Sequence, residues 1–150
     1  MKALYFEEHG EREVLQYGDL PNLVNKENHV LIKVEACALN HLDVWIRKGW
    51  PGLNLEMPHI GGSDVSGIVV EGNGSWKEGD EVVVDPGISS TADSWTEKGL
   101  DSMSPGYQIL GEHISGGCAE YVCVPVENVH KRPEGLTASQ AAAPLLAGLT

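Results

Sequence analysis

Residues 58–71 read Pro-His-Ile-Gly-Gly-Ser-Asp-Val-Ser-Gly-Ile-Val-Val-Glu, and they put a hydroxyl and a carboxylate side by side, Ser63 and Asp64. A serine hydroxyl both donates and accepts hydrogen bonds, whereas an ionised aspartate only accepts. Gly61 and Gly62 let the backbone turn tightly and approach a ligand closely. Val65, Ile68, Val69 and Val70 read as a buried strand. The polar pair therefore stands at the mouth of a strand, presented by a rigid element. Upstream, Asn40, His41 and Asp43 add an amide, an imidazole and a second carboxylate. His41, Asp43, His59 and Asp64 are a conceivable metal set, although nothing in their spacing demands one. Each residue also has a plainer reading. Asn40 suits a helix N-cap and Ser63 a tight turn. His41, His59 and His113 read as ordinary polar residues, and Trp45, on a helical face, as core.

Other motifs offer less. Gly72-Asn73-Gly74 is followed by Gly79 and a polar turn, which is not the spacing of a dinucleotide fingerprint. Neither a P-loop, nor H-E-x-x-H, nor G-x-S-x-G occurs. Asp93 and Glu97, four apart in a polar stretch, read as solvated charges. Ten basic against 22 acidic residues give a charge of −12, which argues against nucleic acid or an anionic membrane as partner. The three cysteines are odd in number, and Cys37 and Cys123 lie in apolar runs. They read as small core residues in a reducing compartment. No apolar run approaches 18 residues, and residues 1–8 do not form a signal peptide, so a cytoplasmic protein is expected.

The elements that must position these residues are mostly strands. Short strands are expected at 3–6, 14–17, 30–38, 65–70, 82–84, 107–110, 119–124 and 128–130, separated by turn residues. Leu42, Trp45 and Ile46 mark one face of a helix capped by Asn40 and stopped by Gly49. A second helix is expected from Ala138 to about Gly148, capped by Thr137. Residues 85–106 carry no strand or helix period and read as one long polar loop. With one Phe in 150 residues, the core should be mainly Val, Leu, Ile and Ala. The expected class is mainly β, an irregular barrel or sandwich with one early helix and the start of a C-terminal one.

Five segments in order then match a known family. They are residues 34–40 leading into Asp43, Gly62-x-Asp64-x-x-Gly67, Lys77-x-Gly79-Asp80-x-Val82, Gly117-x-Ala119-Glu120-Tyr121, and Ala141-Ala142-Ala143 leading to Gly148-Leu149-Thr150. With them the chain resembles the N-terminal, GroES-like substrate domain of the medium-chain dehydrogenase/reductases, over essentially all 150 residues. The resemblance implies a GroES-like irregular β-barrel for residues 1–150, with a Rossmann cofactor domain expected after residue 150. In zinc members of that family a Cys stands where this chain has Asn40. Their His-Glu pair falls on Ser63 and Asp64, and a third ligand falls on or next to Leu146. Four structural cysteines fall on Ser90, Asp93, Thr96 and Ser104. None of the four is Cys here, so the 85–106 lobe is expected to rely on packing by Trp95 and Met103, or to be mobile.

The implied function is the substrate-side domain of a zinc-independent NAD(P)H oxidoreductase, reducing an activated carbonyl, quinone or enone. Asn40, His41, Ser63 and Asp64 would form the catalytic group, with Trp45 and Leu146 as apolar walls and Thr150 near the nicotinamide. NAD or NADP is the expected cofactor, bound mainly by the following domain; zinc is not expected. A small carbonyl, quinone or alcohol is the expected partner, with homo-oligomers forming through the remainder of the protein. Alone, residues 1–150 should not turn over. The alternatives are a zinc-type alcohol dehydrogenase domain with an altered or lost metal site, and a non-catalytic binding module.

Overall fold

The computed structural model describes residues 1–89 and 92–149. Strand-forming valines dictate its centre. β-Branched residues favour the pleated surface, and alternate positions share a face. Strands β3 (His29–Ala38), β5 (Asp64–Glu71), β6 (Glu81–Val84), β9 (Tyr121–Pro125) and β10 (Val129–Lys131) form one antiparallel sheet in the order β10-β6-β5-β3-β9. Its buried face carries Val30, Ile32, Val65, Val69, Val82, Val84, Val122, Val124 and Val129, closed by Ile88 and Leu110. Register makes that row continuous, with Val30 opposite Val124, Ile32 opposite Val122 and Val69, and Val84 opposite Val65 and Val129. Each fully buried Val or Ile contributes about 1.5–3 kcal/mol.

The β3–β5 pairing slips at Leu31/Ile32 and at Val34/Ala36. Gly67 faces the second irregularity; a Cβ there would lie 2.1 Å from the Lys33 carbonyl oxygen, so the strands can approach only over a glycine. Arg132 is buried at the edge of β10 and donates to Glu35, to Glu81 and to the Gly67 carbonyl.

A smaller sheet, β2-β1-β4, joins β1 (Lys2–Phe6), β2 (Gln16–Asp19) and β4 (His59–Ile60). It packs Phe6 against His59, with ring centroids 5.4 Å apart. Helix α1 (His41–Lys48) buries Ile46, and His9 Nδ1 reaches the Ile46 carbonyl at 2.9 Å. Helix α2 (Ala138–Ala142) packs against β3 and β5, and α3 (Leu145–Leu149) follows. No helix among the described residues is long and apolar enough to cross a membrane.

Four expectations are corrected. The strand at 14–17 is a 3-10 turn (Arg12–Val14) followed by β2, because Gly18 and Asp19 continue the pairing with β1 instead of ending it. The 138–148 helix is split, since Pro144 has no N–H to continue the ladder. The polar lobe is not one long loop. It contains β7 (Gly87–Ser89), paired with β8 (Tyr107–Ile109), and two 3-10 turns. Trp95 and Met103 do not pack it, being 36% and 56% exposed.

Candidate functional site

Helix α1 starts where Asn40 adopts extended backbone angles and Asp43 falls in the first turn. Asp43 Oδ2 accepts the Asn40 N–H at 2.7 Å, the returning half of a capping box. Asp43 Oδ1 accepts the Gly62 N–H, also at 2.7 Å. One carboxylate thus ties the start of α1 to the loop ahead of β5. Gly62 has φ +92°, and a Cβ on it would lie 2.5 Å and 2.7 Å from the sulfurs of Cys37 and Cys118. Both the left-handed backbone and the crowding require glycine.

The register of β3 on β5 sets Ala38 opposite Asp64, which brings Asn40 alongside. Asn40 Nδ2 donates to Asp64 Oδ2 at 2.8 Å, and the Leu146 backbone N–H donates to Asp64 Oδ1 at 2.5 Å. Asp64 is 1% exposed. Burial pushes its carboxyl above the ordinary range, against the bonds from Asn40 and Leu146, and the charge on Asp43 adds to the rise. Beside it, Ser63 is fully buried, and its hydroxyl has no hydrogen-bond partner among the described residues. An unpartnered buried hydroxyl costs about 1–3 kcal/mol.

The expected site residues therefore separate. Asn40 and Asp64 come together, and Ser63 adjoins Asp64 along the chain with its hydroxyl buried. Leu146 joins them through its backbone N–H, with its side chain half-buried. His41 stands apart on the exposed side of α1, its ring edge-on to Trp45 at 4.8 Å. Trp45, 57% exposed, is not a core residue. Thr150 and Ser90 lie outside the described residues. Asp43, in the sequence a second carboxylate and a conceivable metal ligand, serves the backbone instead; a carboxylate three residues after an N-cap is a capping-box signal that could have found this role. Cys37 and Cys118, 81 residues apart, carry no sequence signal of their proximity.

The conceivable metal set is not assembled. Asp43 is engaged with two backbone amides. His59, 1% exposed, donates from Nε2 to the Gly111 carbonyl at 3.1 Å, and burial keeps its ring pKa below the usual imidazole value. Among the described residues, no three His, Cys, Asp or Glu side chains stand together so as to hold a metal ion. A catalytic zinc takes three N, S or O ligands and an open position. An amide turned into a carboxylate, a neutral hydroxyl and a carboxylate with both oxygens already accepting hydrogen bonds do not fit it.

The lobe has its own organisation. Asp93 Oδ1 accepts the Trp95 and Thr96 N–H groups at 2.8 and 3.0 Å, and Oδ2 accepts the Ser104 hydroxyl at 2.7 Å. Ser89 donates to Asp101 at 2.9 Å. The Ser104 and backbone donors hold the Asp93 carboxyl below its ordinary range. A cleft of about 790 Å³ opens elsewhere, between Leu20–Val24 and Met57–Ile60, and holds none of Asn40, Ser63 and Asp64. Chemistry, not volume, selects the site.

The barrel itself is shared with known proteins. Residues 26–134 match the alcohol dehydrogenase GroES-like domain, and the chain belongs to that family, the N-terminal domain of the medium-chain dehydrogenase/reductases. It is 35% identical over 147 residues to the quinone oxidoreductase of Homo sapiens, covering 95% of this chain and 37% of that protein. To the alcohol dehydrogenase of Geobacillus stearothermophilus it is 33% identical over 156 residues, covering 100% and 45%. A crystal structure of an NAD-dependent alcohol dehydrogenase superposes with a TM-score of 0.95 at 42% identity, over 100% of this chain and 45% of that one. The chain spans less than half the length of each of these relatives.

Proposed function

We propose that this chain is the substrate-side domain of a zinc-independent, NAD(P)H-dependent oxidoreductase that reduces an activated carbonyl, quinone or enone. The observation that carries the reading is the Asn40 amide held by buried Asp64 beside the unpartnered Ser63 hydroxyl. The names of the relatives, quinone oxidoreductase and alcohol dehydrogenase, support the reaction class. Relatives include a thermostable alcohol dehydrogenase from Pyrobaculum aerophilum with cobalt and zinc bound, 30% identical over 95% of this chain and 44% of that one, with a TM-score of 0.84. Zinc independence therefore rests on this chain's own donors rather than on its family.

The nicotinamide cofactor, when bound, supplies the hydride. A substrate oxygen gaining negative charge needs preorganised donors. Asn40 has a second N–H beyond the one given to Asp64, and Ser63 has its hydroxyl. Asp64 orients the amide; with both oxygens accepting hydrogen bonds, it is not cast as the acid. His41 and Trp45, exposed on α1, would meet the substrate only from the open side. The described residues offer no glycine-rich phosphate cradle, so the cofactor's pyrophosphate falls to a Rossmann domain expected after residue 150.

The test uses the full-length protein. Quinone or enone reduction by NADPH or NADH should survive exhaustive chelation. Asn40→Ala should lower kcat by ~10²-fold, a larger effect than the loss of its hydrogen bond to Asp64 has on stability. Activity lost on chelation and restored by zinc alone would overturn the zinc-free reading.

A further inference from the structure

Behind Gly62 lies a pair of groups that hydride transfer does not use. Cys37, at the end of β3, and Cys118, in the turn after Gly117, approach to 3.9 Å between sulfurs, and both are half-buried free thiols. Their segments are already tied together. The Cys118 N–H donates to the Gly61 carbonyl at 3.0 Å, and the Gly117 N–H donates to the Gly62 carbonyl at 2.8 Å. Gly62 has no side chain to wedge between the sulfurs, and a Cβ there would collide with both. A disulfide needs the sulfurs to close from 3.9 Å by about 1.9 Å.

We propose that Cys37 and Cys118 are a modification site at which a hydroperoxide forms a reversible internal disulfide. Cys118 is the attacking sulfur, because its close contact with Cys37 lowers its thiol pKa, while that contact and burial push Cys37 up. The Cys118 thiolate attacks one peroxide oxygen. The O–O bond breaks, Cys118 becomes a sulfenic acid, and the departing hydroxide or alkoxide takes up a proton. The Cys37 thiol then attacks the sulfenic sulfur, forming the S–S bond as its proton and the departing hydroxide leave together as water. The two sulfurs together lose two electrons and the peroxide gains two. Cys123 lies apart, its sulfur 3.5 Å from Asn25 Oδ1, and burial raises its thiol pKa. It serves as an internal control. None of this depends on the reductase reading.

The reduced full chain is treated with one equivalent of hydrogen peroxide, quenched with iodoacetamide, and analysed by intact mass and peptide mapping. Two of the three thiols should escape alkylation. The mass before alkylation should fall by ~2 Da, the two hydrogens lost. The Cys37 peptide should be joined to the Cys118 peptide, and dithiothreitol should separate them. Cys37→Ser should instead leave a sulfenic acid on Cys118 that dimedone traps. The proposal is overturned if Cys37 and Cys118 stay alkylatable while Cys123 oxidises. It is equally overturned if Cys118 ends as sulfinic acid with Cys37 untouched, or if the crosslink joins two chains.

Discussion

Asp43 fixes more of the site than its place on a short helix implies. Its two oxygens satisfy backbone donors on separate segments, the N-cap of α1 and the glycine ahead of Ser63. Charge-assisted bonds of this kind contribute about 1.5–3 kcal/mol each, and removing the acceptor leaves both amides unpaired. Asp43→Ala should therefore destabilise the protein by about 3 kcal/mol in urea titration. It should also weaken any ligand held by Asn40 and Ser63, since both neighbouring backbones lose their common anchor. Asn40 looked like a helix cap in the sequence, and by position it is one. Its side chain, however, points across the β3–β5 ladder to Asp64. That preference depends on register, which a single strand does not encode.

At the scale of elements, the sequence was most legible where periodicity was strong. β3, β5, β6, β9 and α1 fall within a residue or two of the expected spans. Two of the misses share one cause, because they are elements defined by a partner rather than by their own pattern. β4 is two residues long and exists only through β1, and β7 is three residues long and exists only through β8. The lobe between β7 and β8 follows the same rule. Three of the four positions where zinc-binding relatives are expected to carry cysteines, Asp93, Thr96 and Ser104, join in one hydrogen-bonded group around the Asp93 carboxylate. Asp93→Ala should raise amide hydrogen exchange through residues 93–106 while the β3–β5 core keeps its protection. The Asp93 carboxyl is held below its ordinary range, so its contribution is full above the ordinary aspartate range. It fades as pH falls through the depressed value, and exchange in the lobe should rise in acid before the core opens.

For the molecule as a whole, the buried His59 sets an acid limit. Its folded-state pKa lies below the ordinary value of about 6.5. Below that pH the unfolded chain takes up a proton that the folded chain resists. Stability should therefore be full above pH ~6.5 and decline below it, by at most about 1.4 kcal/mol per pH unit for one proton. His59→Gln keeps a donor for the Gly111 carbonyl without titrating, and its pH–stability curve should be flatter over the same range, measured by urea midpoint. The class of the fold was readable because alternating valines admit few arrangements, whereas the union of distant side chains was not. Asp64 draws on the end of β3 through Asn40 and on the last helical turn through Leu146, one oxygen for each. One carboxylate thus couples α3 to the Asn40 amide, so a shift of that helix should move the amide with it.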